Sequence, residues 1–115
     1  MCGFERLVIW QRARQLSHKI REVAKSFRDD AYLGDQMRRA AISIASNIAE
    51  GSERGSAADF RRFLIMAKAS CGELRSHLYL ALDDHHIDTQ RFHELLNDVS
   101  VLGRMMTAFI QSMKR

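Results

Sequence analysis

The last segment of the chain leaves little choice of fold. Phe92, Leu95, Val99, Leu102, Met106, Phe109 and Met113 alternate steps of three and four without a miss. An α-helix, at about 3.6 residues per turn, brings all of them to one side, whereas a strand would scatter them over two faces. The same signature recurs upstream. Ala13, Leu16, Ile20, Val23 and Phe27 predict a helix over residues 7–27. Met37, Ala41, Ile44 and Ile48 predict a second helix of about 16 residues that ends at Gly51, after an interruption rich in Asp and Gly between Arg28 and Asp35. Phe60, Phe63, Leu64, Ala67, Cys71, Leu74, Leu78 and Ala81 predict a third, running to about Asp83. Gly51–Gly55 reads as a loop, Ser56 with Asp59 as a capping pair opening the third helix, and Asp88 as the cap of the fourth.

Composition agrees with this pattern. The 115 residues contain no proline and only 6 glycines, too few turn-formers for a sandwich or small barrel. The expectation is all-α: one domain over residues 1–115, an up-and-down antiparallel four-helix bundle in which each apolar stripe leaves water by facing the others. With the second helix the shortest, parts of the longer stripes would stay uncovered in a lone chain, so self-association is expected. No stretch approaches the roughly 18 apolar residues a membrane span needs. The first residues lack a signal peptide pattern. The two cysteines, Cys2 and Cys71, have no CxxC or Cys/His spacing that would indicate a disulfide framework or zinc site. A cytoplasmic protein is expected.

The chemistry-bearing patterns of bundle enzymes are missing. A di-iron site needs Glu-x-x-His pairs on two helices and two further glutamates, but Glu73 and His77 stand four apart and supply at most half a site. His85, His86, Asp88 and His93 gather at the third connection, with side chains suited to a transition metal, but nothing fixes their mutual geometry and a polar turn followed by a helix cap is the favoured reading. Cys71 lies on the apolar stripe and no serine sits in a nucleophile elbow. The Gly51–Ser56 loop lacks the lysine and spacing of a P-loop. No enzyme activity, metal or cofactor is expected.

Charge placement is more telling than the formal net charge of +4. Residues 1–28 carry Arg6, Arg12, Arg14, Lys19, Arg21, Lys25 and Arg28 against Glu5 and Glu22, whereas residues 83–98 carry Asp83, Asp84, Asp88, Glu94 and Asp98 against Arg91. The basic helix either attracts nucleic acid or meets the acidic region across a head-to-tail subunit contact. Arg12 and Lys19 on the first helix, and Arg54, Arg61 and Arg62 around the start of the third, are the candidate nucleic-acid contacts, the last three beside backbone N–H groups that can hold an anion. On the second helix, Arg39, Ser43, Asn47 and Glu50 form a polar stripe beside Ala40, Ala41, Ala45 and Ala49. This stripe suits a structural or interface role, in which Asn47 and Glu50 find partners such as Arg39 or an arginine of another helix.

The runs Leu7-Val8-Ile9-Trp10-Gln11, Gln36-Met37-Arg38-Arg39-Ala40-Ala41 with Ser43-Ile44, Ser46-Asn47-Ile48-Ala49-Glu50-Gly51, Phe60-Arg61-Arg62-Phe63-Leu64 and Glu73-Leu74 together resemble the four-helix-bundle proteins encoded within intervening sequences of bacterial 23S ribosomal RNA genes. The resemblance covers most of the chain in order, the fourth helix only as a generic amphipathic segment. It implies a ring-forming homo-oligomer, a pentamer, without established enzymatic activity. It also implies kinship to accessory bundles of diversity-generating retroelements, which bind a reverse transcriptase and nucleic acid. Arg38, Arg39, Ser43, Asn47, Glu50, Arg62 and Glu73 are the positions that carry over. Ala45 departs from the proline common in relatives, which removes a local kink. The leading expectation is a non-catalytic ring that binds RNA or another polyanion through its basic surfaces. The alternative is a protein-interaction adaptor, for example to a polymerase or reverse transcriptase, whose basic residues make subunit or partner contacts.

Overall fold

The computed structural model describes residues 3–113; Cys2 lies outside them. After a 3-10 turn at Gly3–Arg6 come α1 (Val8–Ala24), α2 (Ala31–Glu53), α3 (Ala57–Asp83) and α4 (Thr89–Ser112). Each helix packs on its neighbour in sequence, and α1 closes the bundle against α4. The resulting rod measures 45 × 23 × 20 Å, a length set by α3, whose 27 residues span about 40 Å.

Each expected stripe forms the core. Ile20 on α1, Met37, Ile44 and Ile48 on α2, Leu64, Leu74 and Leu78 on α3, and Leu95, Val99, Leu102 and Met106 on α4 are fully buried. Removing a side chain of this size from water contributes about 1.5–3 kcal/mol. Two of the expected caps form: Ser56 Oγ accepts from the Asp59 amide at 3.1 Å and Asp88 Oδ1 from the Arg91 amide at 2.7 Å. Each satisfies one of the donors that a helix start leaves without a partner.

The second helix differs from expectation. It has 23 residues, and α1, with 17, is the shortest. The Asp and Gly that read as an interruption start the helix instead. Asp30 Oδ1 accepts from the Leu33 amide at 3.0 Å and caps α2. Gly34 is buried against α1, where a Cβ would sit 3.4 Å from the Ala24 carbonyl oxygen. At the other end α2 runs through Gly51, because a close approach to α3 requires the missing side chain: a Cβ there would lie 2.6 Å from Cβ of Phe63. The break falls at Gly55, whose φ of +87° suits glycine. In turn α1 ends at Ala24, three residues early, and Phe27 is buried from the following turn. With four helices of comparable length, most of the stripes are covered within one chain, and the uncovered-stripe argument for self-association falls away.

Gly51→Ala tests the close approach. Alanine favours an isolated helix, yet here the variant should lose about 1–3 kcal/mol of unfolding free energy in urea titration through overpacking against Phe63. Unchanged or raised stability would show that the two helices are free to separate.

Candidate functional site

The hairpin between α2 and α3 brings two of the candidate arginines, Arg54 and Arg62, together over Phe63. Phe63 is buried under them: the Arg54 and Arg62 guanidinium carbons lie 4.9 and 4.8 Å from its ring centroid. The positively charged planes gain from the ring's negative face while staying exposed. Each also makes one ion pair within its own helix region, Arg54 with Glu50 at 2.9 Å and Arg62 with Asp59 at 3.2 Å. Arg61, the residue before Arg62, makes no ion pair among the described residues. Exposed pairs of this kind contribute about 0–1 kcal/mol, so an incoming phosphate competes with them on modest terms.

The other two candidates separate. Lys19 points to α4, with Nζ 2.8 Å from Asp98 and 3.8 Å from Glu94. Its hydrogen bond to Asp98 raises its pKa. The basic first helix and the acidic 83–98 region thus meet inside one chain. Arg12 is exposed beside this bridge and lines a shallow cleft with Gln15 and Asp98. Arg14, not singled out from sequence, lies 5.7 Å over the Trp10 ring.

The polar stripe of α2 resolves into three local pieces. Arg39 pairs with Asp35 at 3.0 Å, and Arg38 approaches the same carboxylate at 3.6 Å; these contacts lower the Asp35 pKa, chiefly through the Arg39 hydrogen bond. Glu50 pairs with Arg54. Between them Asn47 Nδ2 donates to the Ser43 carbonyl at 2.9 Å and to its Oγ at 3.1 Å, and Ser43 Oγ shares a hydrogen bond of 2.9 Å with Ser70 Oγ on α3. Only this last link crosses to another helix, so the expected Arg39 to Asn47 and Glu50 pairing does not form. Its partner Ser70 carried no signal in the sequence, since the pairing depends on the register of α2 against α3.

The histidines near the third connection also sort differently from expectation. Among the described residues, the one trio of ligand-type atoms within 4.8 Å of one another is Asp30, Asp84 and His86. His85, Asp88 and His93 do not join it. His86 stacks on Phe27, centroids 4.7 Å apart, and its Nε2 stands 3.4 Å from Asp30 Oδ2. It ties the α1–α2 turn to the α3–α4 turn at one end of the bundle. Asp30 is already committed through its other oxygen to capping α2. His85 closes α3 instead: its φ is +61°, its amide donates to Leu82 O and that of His86 to Ala81 O. This is the Schellman pattern, in which glycine is usual.

A sequence profile described as 23S rRNA-intervening sequence protein matches residues 5–108. The chain belongs to this family. A crystal structure of a protein with unknown function from the S23 ribosomal protein family of Bacteroides thetaiotaomicron superposes with a TM-score of 0.84, covering 90% of this chain and 98% of that one at 22% identity. At that identity the likeness establishes the shared fold. No curated protein matches the chain. The profile spans every candidate residue, Arg12 to Glu73 and the histidine connection included, and no helix of the described residues is long and apolar enough to cross a membrane.

In this 23S rRNA-intervening sequence protein Glu73 stands 3.7 Å from His77 on α3. The His77 side chain is only 12% exposed, and its Nδ1 is buried without a hydrogen-bond partner. Burial lowers its pKa below 6.5, with the Glu73 charge opposing. A histidine kept neutral in the fold but free to charge on unfolding adds stability above pH 6.5 that is lost as pH falls below it. The drop in urea midpoint between about pH 7.5 and 5.5 should therefore shrink in His77→Leu; an identical drop would assign the acid sensitivity elsewhere. His85→Gly should raise unfolding free energy by about 1 kcal/mol by relieving the left-handed backbone. A lower denaturation midpoint would mean that the imidazole makes a stabilising contact beyond the turn.

Proposed function

We propose that this protein is a non-catalytic, self-associating helical bundle that binds structured RNA through its basic surfaces, with the α2–α3 end as the main contact. The observation that supports this most directly is the convergence of Arg54 and Arg62 on the Phe63 ring, with Arg61 next in sequence. Packing against a buried ring limits the conformational freedom that flexible arginines lose on gripping a phosphate. The first turn of α3 adds backbone N–H groups with the positive end of the helix dipole, although Ser56 and Asp59 already occupy part of that position. Arg12 and Arg14 extend the basic surface along α1.

Self-association is supported by apolar side chains that the single chain leaves in water. Ile65, Met66, Tyr79 and Leu80 of α3 and Ile42 of α2 are all exposed, and Val8, Met105 and Phe109 line an open groove between the start of α1 and the end of α4. Closed rings arise when one such patch meets a different one on the next copy; a pentameric ring is the assembly we propose. A cytoplasmic location follows from the proposed RNA ligand.

Replacing Arg61 and Arg62 together by Glu discriminates this from an adaptor role. RNA hairpin affinity, read by fluorescence polarisation, should fall by at least about tenfold, and wild-type binding should weaken steeply between about 50 and 200 mM salt as counterions are released. The solution mass should remain that of a multiple of the 13.2 kDa chain. Loss of the oligomer in this variant would instead place the arginines in subunit or partner contacts, and salt-insensitive binding would remove the phosphate-contact reading.

A further inference from the structure

We infer that the seam between α3 and α4 is a second binding site, built for a short phosphate chain such as a diphosphate or triphosphate group. The seam holds a groove of about 210 Å³ on the side of the bundle formed by Lys68, Gly72 and Arg75 of α3 and Ser100, Gly103 and Arg104 of α4. No carboxylate lines it. Among the described residues, none of its three cations forms an ion pair. Three like charges around one concavity repel each other, and an oxyanion relieves that repulsion.

The glycines are the second, independent observation. Both sit inside helices, where glycine is less stable than alanine. Neither has the excuse of Gly34 or Gly51. A Cβ on Gly72 would find its nearest neighbour, Arg75 Nη2, at 3.8 Å, and one on Gly103 would find Cys71 Cβ at 4.0 Å. Those are ordinary contacts, and neither backbone is left-handed. Packing within the chain therefore does not require glycine at either position, and the missing side chains keep the groove that both residues line open. Arg75 folds back over Gly72, so its guanidinium already overhangs the gap, and the Ser100 hydroxyl offers a further donor. Cys71 beneath is chemically quiet: burial pushes its thiol up to about 12, against a smaller opposing effect of Arg75. The volume is below the roughly 300–1,000 Å³ of sites for drug-sized ligands, which favours a compact phosphate chain over a base-bearing ligand held whole.

Titration calorimetry of the full chain with inorganic tripolyphosphate tests the site. Wild type should bind one equivalent per chain, more weakly as salt rises. Gly72→Ala with Gly103→Ala should melt at a higher temperature than wild type yet bind tripolyphosphate at least about tenfold more weakly, because the methyl groups that favour the helix occupy the groove. Arg75→Gln with Arg104→Gln should lose affinity similarly without a change in solution mass. Absence of wild-type binding, or full affinity in the alanine variant, would overturn the proposal. So would an altered oligomer mass in the alanine variant, which would assign the glycines to a subunit contact, or loss of tripolyphosphate in Arg61→Glu/Arg62→Glu, which would place the anion at the α2–α3 end. A 5′-hydroxyl RNA hairpin should bind the alanine variant as it binds wild type; a matching loss would make the groove part of an RNA-backbone track and reject the compact ligand. RNA binding can fail while tripolyphosphate binding persists, so this site stands or falls separately from the proposed RNA contact.

Discussion

The bundle depends on an interior from which polar groups are excluded. Among the described residues no polar or charged residue is buried as a whole, so helix register has no internal ion pair or amide network to fix it. A uniformly apolar core packs in several registers of nearly equal energy unless shape selects one. Here shape is supplied by what is small. Gly34 lets α2 lie against the end of α1, Gly51 lets it lie against Phe63, and Ala40 and Ala41 bring its middle close to its neighbours. These contacts fail if a helix shifts by one residue, whereas a leucine layer would tolerate the shift by repacking.

Polar contacts then act at the periphery, as ties between elements that the core has already brought near. Lys19 with Asp98 joins α1 to α4, Ser43 with Ser70 joins α2 to α3, and His86 against Phe27 and Asp30 joins the two turns at one end. Each is partly exposed, so each adds little to the total free energy. Their value lies in selecting among arrangements of a core that is indifferent to small slips, since a tie between distant residues exists in only one of them.

This division explains what was legible in the sequence. Apolar periodicity and caps are local properties, so the four helices and the roles of Ser56 and Asp88 could be read directly. The start of α2 was misread because Asp30 and Gly34 are ambiguous in isolation: an aspartate before a short apolar run can end one helix or cap the next, and a glycine can break a helix or admit a neighbour. Only α1 lying alongside decides. At the candidate sites the same boundary appears. Arg39 with Asp35 and Arg54 with Glu50 follow from i,i+4 spacing. Lys19 with Asp98, 79 residues apart, and the Asp30, Asp84 and His86 trio depend on which helices adjoin and in which register, and no local pattern encodes that. Lys68 and Arg75 stand seven apart on α3 and were not singled out from the sequence, and Arg104 joins them only across the helix seam.

Net charge has to be read in the same way. A formal +4 spread evenly over a surface of this size would exert little pull at physiological ionic strength, where exposed charges are screened within about 8 Å. What matters is where cations remain after neighbouring acids have been matched. Local pairing on α2 consumes Arg38 and Arg39 and the α1–α4 bridge consumes Lys19, whereas Arg12 and Arg14 on α1, Arg61, and Lys68, Arg75 and Arg104 along the α3–α4 seam keep no acid partner among the described residues. A modest overall excess is thereby unevenly distributed over the surface. The polar groups that an apolar core expels must lie somewhere on the rod, and what distinguishes one face from another is which of them find a neighbour of opposite charge.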